Sequence, residues 1–588
     1  MRWIGPTVFL CCLGSTLAQD SLALHFRQDN LTSDNDLRLA WQQPLGAGSL
    51  VADNTLRYKL FQSNSGTNAD YSLENSLNLG YERPLFIEWL VGIGLESRLF
   101  SDRRTGRGSD LSNQALLGSL RKSAAGGKTR RMALGIRQTE RFGLLERGPT
   151  LAADFGDLWQ GAGQRIQGAV HGTYDQFAEH ENQHLRADIG YRVSFTDAAY
   201  FETSLAGMNR RQEFYTDSLQ STQSRTIDDT QWRNRFGYRL RPGVELYHRL
   251  DYVDQSTRIN RWQVVDGERQ ATTGEDRTHL SLLNETGIEV VREQFQSRLN
   301  LRIDNRQNRY YVDYNQALYQ LTAGIDIQAP GLVDSLRWES ILARQTHDTP
   351  DTTNDDDRDE WRWSSSLDLG WRLSPFLTTA LGMKVNLFHL IYLYSSRSAE
   401  NHWNRSLILW TRTQWWHGDW FLASYGQVHA NYFAYDYDDI LEAMEQPRRS
   451  FVHRSLELNQ DVFRNLGPRW RLEMQLRALW EDDGRLDWGA FLQEVQSERT
   501  QQEIVLRSRH RLQAWELWYG YLSHVRVKTY ADGNRSDEEW RGNGPLLGVQ
   551  RLWPNRYRLS ADLRFIQVQD IDREYLLPKV TVQVAWLP

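Results

Sequence analysis

Nine arginines recur at inward-alternating positions in four stretches of the chain: Arg186 and Arg192; Arg233, Arg235 and Arg239; Arg298 and Arg302; Arg471 and Arg477. A guanidinium binds carboxylate or phosphate through two parallel hydrogen bonds, so a wall of them would suit an anionic solute or an acidic polysaccharide. Asp188, Asp304 and Glu473 stand in the same stretches. A mutually paired ladder of arginine and acid, keeping an aqueous lumen polar, is therefore the competing reading.

Other reactive side chains form no recognisable machinery. His389, His429 and His453 occur singly, with no nucleophile–histidine–acid order and no Glu-His metal spacing. The acidic stretch of Asp348, Asp351, Asp355, Asp356, Asp357, Asp359 and Glu360 lacks the spacing and the glycine of an EF-hand loop and reads as a solvated loop. Both cysteines, Cys11 and Cys12, fall in the N-terminal leader, which leaves no thiol for a disulfide, a metal or catalysis. The expectation is a protein that is not an enzyme and has no cofactor and no metal site. A net charge of −6 excludes a simple polycation for nucleic acid.

The elements that carry the arginines read as strands. Leu185, Ala187, Ile189, Tyr191, Val193 and Phe195 alternate with Arg186, Asp188, Gly190, Arg192 and Ser194. The same period of two runs through Trp232–Leu240, Phe295–Asp304 and Trp470–Trp480. Successive strand side chains point to opposite faces, so each segment has one apolar face and one face of arginine and acid. Phe, Tyr and Trp number 21, 25 and 23, and only six of the 69 basic residues are lysine. Aromatics favour strands and form girdles at membrane interfaces. Trp361, Trp363, Trp410, Trp415, Trp416 and Trp420 are accordingly expected in such girdles rather than in an aromatic path for sugar. The mean hydropathy of −0.63 is what a barrel with a polar interior gives.

Connections alternate in length. Tight turns are expected at 82–84, 196–198, 241–243, 374–375, 417–419, 467–468 and 554–555, and long polar loops at 101–113, 216–229, 255–277, 346–359, 435–449 and 531–543. The leader has Arg2, an apolar run from Val8 to Leu13 and the small-residue site Thr16-Leu17-Ala18. It predicts a signal peptide over residues 1–18 and a mature chain from Gln19. The least regular stretches are 141–163 and 484–499, the second of which could be a strand or a short helix. The chain closes on Val580, Val582, Val584 and Trp586 in alternation.

Across nearly its whole mature length the chain thus resembles bacterial outer-membrane β-barrels. The fold expected is all-β: one large transmembrane antiparallel up-and-down β-barrel of about 26–28 strands over residues 19–588. Strand-like alternation begins within a few residues of the leader, which argues against a barrel carrying an N-terminal plug or periplasmic domains. A barrel so wide needs its interior filled, by loops, by side chains or by a partner.

Two functions follow. The first is a porin-like conduit for hydrophilic, anionic or exopolysaccharide cargo, broadly similar to export porins of the alginate type. The second is a sheath holding a lipoprotein plug or a cytochrome, as in porin–cytochrome conduits; the chain has no haem-attachment motif, so any haem would belong to the partner. The surroundings expected are outer-membrane lipid, lipopolysaccharide and a periplasmic or lumen-filling protein.

Overall fold

The computed structural model describes Ser21 to Trp586 except residues 29–31, 63–68, 87, 103–108, 125–127, 217–220, 266–267, 310–312, 329–332, 350–354, 446–448, 488–491, 532–534, 554–556 and 571–572. The leader lies outside the described residues. The strands are β1 (Ser21–Gln28), β2 (Thr32–Leu45), β3 (Gly48–Gln62), β4 (Ala69–Phe86), β5 (Trp89–Asp102), β6 (Ser109–Ala124) and β7 (Lys128–Arg141). There follow β8 (Leu144–Gly161), β9 (Gln164–Gln176), β10 (Glu181–Ser194), β11 (Ala199–Tyr215), β12 (Thr222–Arg241), β13 (Val244–Val265) and β14 (Glu268–Arg292). Next are β15 (Phe295–Arg309), β16 (Tyr314–Gln328), β17 (Ser335–Asp348), β18 (Arg358–Ser374), β19 (Leu377–Tyr392), β20 (His402–His417) and β21 (Trp420–Tyr435). The last are β22 (Phe451–Asn465), β23 (Trp470–Asp487), β24 (Leu492–Leu512), β25 (Trp515–Tyr530), β26 (Glu538–Trp553), β27 (Tyr557–Asp570) and β28 (Arg573–Trp586).

Each strand pairs antiparallel with its sequence neighbours, and β1 pairs with β28, so the 28 strands close into one wall. Tracing direct partners once round the wall returns to β1 about 32 residues from the start. With strands about 4.8 Å apart and about 3.3 Å of rise per residue, that stagger sets a tilt of about 38° and a backbone diameter of about 54 Å for a circular section.

The alternation decides what faces where. Leu134, Ile136, Leu185, Ile189, Leu299, Leu301, Leu342 and Leu409 are large, apolar and exposed, and all share the face opposite the arginines. Such a band can be stable only against lipid, so this is a transmembrane barrel of the outer-membrane kind. The accessible surface is 37225 Å², against about 21,000 Å² for a compact folded chain of the same mass. The molecule is a shell with one face for lipid and one for water rather than a packed core. Among the described residues, the elements outside the wall are a six-residue helix, Asp438–Ala443, and the 3-10 turn Ser398–Glu400, both in connections.

Turn chemistry fixes register. Phe142 and Gly143 have φ of 53° and 77°, and Ala162 and Gly163 have 48° and 75°; two positive-φ residues in a two-residue hairpin match the right-handed twist of the strands. Several expectations are corrected. Residues 82–84 lie inside β4, and the reversal comes at Glu88, whose φ is 68°. Pro84 there starts no turn because it lies near the strand end, where a missing N–H is tolerated. The loop expected over 255–277 is instead the hairpin of β13 and β14, the longest strands at 22 and 25 residues. Strand also replaces loop at 222–229 and 538–543. The irregular 141–163 is a turn followed by β8, and 484–499 belongs to β23 and β24 wherever it is described. The turn expected at 554–555 lies outside the described residues.

Candidate functional site

Register brings all nine candidate arginines to the face opposite the lipid band, because direct cross-strand partners share a face. Seven of them stand on β10–β15. One row across these strands runs Arg192, Glu202, Arg235, Arg249, Glu285, Arg302. The row two residues nearer the short turns runs Ser194, Tyr200, Gly237, Tyr247, Gly287, Asn300. The next runs Arg239, Glu245, Glu289, Arg298. Arg233 pairs with Asp251 in register, on the far side of the first row. Two charged belts thus enclose one belt of alternating tyrosine and glycine. Arg186 stands on β10 towards the outer end, while Arg471 and Arg477 are on β23, on another sector of the wall.

Ion pairing is uneven. Arg186 meets Asp188 at 2.8 Å, Arg302 meets Asp304 at 2.9 Å and Arg298 meets Glu339 at 3.0 Å. Arg235–Glu245 at 3.5 Å, Arg471–Glu473 and Arg477–Glu503 at 3.9 Å and Arg192–Glu202 at 4.0 Å are looser. Arg233 donates to the Gln231 side-chain carbonyl at 3.0 Å and has no carboxylate partner among the described residues, nor has Arg239. The guanidinium groups of Arg192, Arg235 and Arg298 are about half exposed, so each pair adds only about 0–1 kcal/mol and can exchange for another anion.

The tyrosines between the belts lie flat. A Cβ on Gly237 would fall on Cε1 and Cζ of Tyr200, and one on Gly287 would fall 2.7 Å from Cζ of Tyr247. The rings therefore rest on glycine backbone and turn their other faces to the lumen. The Tyr200 hydroxyl donates to Glu245 at 2.7 Å, the Tyr247 hydroxyl to Glu285 at 2.9 Å, and Asn300 Nδ2 to Glu285 at 2.8 Å. Arg192 Cζ is 4.8 Å from the Tyr200 ring centre, and Arg235 Cζ is 5.9 Å and 5.8 Å from the two rings. Trp410 covers Gly382 and Trp518 covers Gly548 in the same way, also on the inner face. Trp518 Nε1 donates to Asp562 at 3.3 Å.

The expected tryptophan girdle is thus only part of the arrangement. Trp361, Trp363, Trp415 and Trp420 share the outward face, whereas Trp410 and Trp416 point into the lumen, because register and not proximity to a turn decides the side. Sequence reasoning also missed Tyr200, Tyr247, Arg249, Glu245 and Glu285. Gly237, set among Arg233, Arg235 and Arg239, was the available signal, since glycine inside a strand marks a close approach by another group.

Elsewhere several charged residues are held in ion pairs. Arg397 holds Glu400 at 2.6 Å and also contacts Asp356, and Arg344 holds Asp359 at 2.8 Å. The expected acidic loop is therefore tied down by arginine where it is described; Asp351 lies outside. His389 meets Asp436 at 2.9 Å and His453 meets Asp483 at 2.7 Å. Among the described residues no three His, Cys, Asp or Glu side chains converge to hold a metal ion.

No protein-family model and no curated protein sequence matches the chain. Among solved structures it is similar to "Copper transporter OprC", with a TM-score of 0.37, 9% identity and coverage of 97% of this chain and 83% of that one. The ferric-catecholate import receptor Fiu from E. coli K12 gives 0.39, 10% identity and coverage of 84% and 81%. The ferric citrate transporter FecA gives 0.33, 9% identity and coverage of 97% and 79%. Likenesses this weak decide neither fold nor function; the closed sheet establishes the fold by itself.

Proposed function

We propose that this chain is an outer-membrane conduit for hydrophilic material, with a preference for anions, and that it catalyses no reaction. The observation that carries the reading is the shell itself: a closed wall about 54 Å across, apolar outside, lined inside with exposed and loosely paired arginine. Planar-bilayer recording of the purified chain tests it. A large single-channel conductance with an anion-selective reversal potential in a salt gradient is expected; a silent barrel would overturn the conduit.

The width supports a second reading, a sheath around a partner protein. A folded domain of 100 residues, with a radius of gyration near 13 Å, is about 34 Å across and fits within such a wall. A periplasmic lipoprotein or cytochrome seated there would seal the membrane. Stoichiometric co-purification of one protein from native membranes, together with a silent purified barrel, would favour the sheath over the conduit.

A further inference from the structure

We infer that the inner wall of β11–β13 carries a binding site for an acidic polysaccharide, formed by the ring faces of Tyr200 and Tyr247 with Arg192, Arg235, Glu245 and Glu285. The inference deepens the conduit reading by naming its cargo. Three observations converge. The rings are pressed against Gly237 and Gly287, so each has one face on backbone and one towards the lumen. Apolar C–H faces of pyranose rings can pack on such surfaces as other flat apolar groups do. The carboxylates beside them already accept the tyrosine hydroxyls at 2.7 Å and 2.9 Å and have lone pairs left for sugar hydroxyls. Finally, Arg192 and Arg235 lie over the rings but hold their own carboxylates only at 4.0 Å and 3.5 Å. An incoming uronate could take either guanidinium bidentately.

The spacing suits a chain better than a single small anion. Tyr200 and Tyr247 stand two strands apart, with the glycine of β12 between them, which is about 10 Å along the wall. Cross-strand aromatic–glycine pairs do stabilise sheets. That role requires a covered glycine; it does not require two loosely held guanidinium groups 4.8 Å and 5.9 Å from the Tyr200 ring centre.

The test is equilibrium binding of a labelled oligogalacturonate to the detergent-solubilised full chain, with a malto-oligosaccharide of equal length and monomeric galacturonate as controls. The oligogalacturonate should bind more tightly than both controls, and Y200L/Y247L should weaken it about tenfold. R192Q/R235Q should weaken it by a similar factor while leaving malto-oligosaccharide binding as it was. Should Y200L/Y247L fail to fold, Y200F/Y247F keeps the rings and the arginine variant still decides. Binding that ignores both double substitutions, or monomeric galacturonate binding as well as the oligomer, would overturn the site. A chain that binds the oligomer but does not conduct would remove the conduit and leave this site standing; one that conducts but ignores the oligomer would do the reverse.

Discussion

Tyr200 rests its ring directly on the backbone of Gly237 across the β11–β12 ladder, filling the space a Cβ at 237 would need. Gly237→Ala should therefore destabilise the barrel by about 1–3 kcal/mol, the usual range for overpacking. Urea unfolding followed by loss of the compact form on semi-native gels would measure it. Adding Tyr200→Ala should recover much of the loss; equal stability of G237A and the parent would show that the ring lies elsewhere.

Glycines differ according to what they approach. A Cβ on Gly148 would strike the backbone carbonyl of Gln176, which cannot rotate away, whereas nothing lies within 4 Å of one on Gly207. Gly148→Ala should cost more than Gly237→Ala. Gly207→Ala should be neutral or stabilising by about 0.4–1 kcal/mol, through the unfolded chain. The same urea midpoints rank all three.

A charge reports which face meets lipid. Leu342 is 44% exposed near the middle of β17, so Leu342→Lys should cost about 2–4 kcal/mol in bilayers. Ser366 lies across from Glu339 and Lys384 on the inner face, and Ser366→Lys should stay within about 0.5 kcal/mol. Equal penalties would contradict the assignment of faces.

Removing Arg233, Arg235 and Arg239 together as glutamines takes three positive charges from one sector of the inner wall. The reversal potential in a salt gradient should move towards cation selectivity, most clearly at low ionic strength where screening is weak. An unmoved potential would mean that this sector does not set permeation.

Outside the membrane, Arg397 is held well above its ordinary pKa by its hydrogen bond to Glu400 and by the nearby Tyr392 ring and Asp356. It remains charged at every pH the protein will meet and ties residues 393–401 to the β17–β18 connection. Arg397→Gln should speed proteolysis within 393–401 on intact cells or liposomes, with the wall strands still protected.

The wall was legible in the sequence wherever lipid imposed a strict period of two, which is why Arg186 through Arg477 were placed on one face from residue order alone. Legibility failed where that constraint ends. Residues 255–277 are mostly polar, and the few large apolar side chains there, Ile259, Trp262, Val264 and Val265, are too irregularly spaced to show the period of two that the β13–β14 hairpin has. The Tyr200–Gly237 and Tyr247–Gly287 contacts were hidden for another reason. They depend on which residue of one strand meets which residue of the next, and a single strand's pattern carries no information about its neighbour's offset. Trp410 and Trp416 were misplaced by the same ignorance of side.

The wall closes where Leu22–Gln28 of β1 meets Val580–Trp586 of β28, in seven residue pairs, whereas β28 meets β27 in fourteen. Closure thus joins the earliest strand of the sheet to the last one synthesised. No shorter portion of the sheet is closed: the strands between pair with their sequence neighbours, but one edge of β1 has no partner until β28 arrives. Until the ends meet, the edges of β1 and β28 stay open to any passing chain. The demand falls on the cell: periplasmic holdases and the membrane insertion machinery have to shelter an unusually wide sheet through a slow final step. Limited chaperone supply should therefore show up as lost yield of this protein before that of narrower barrels.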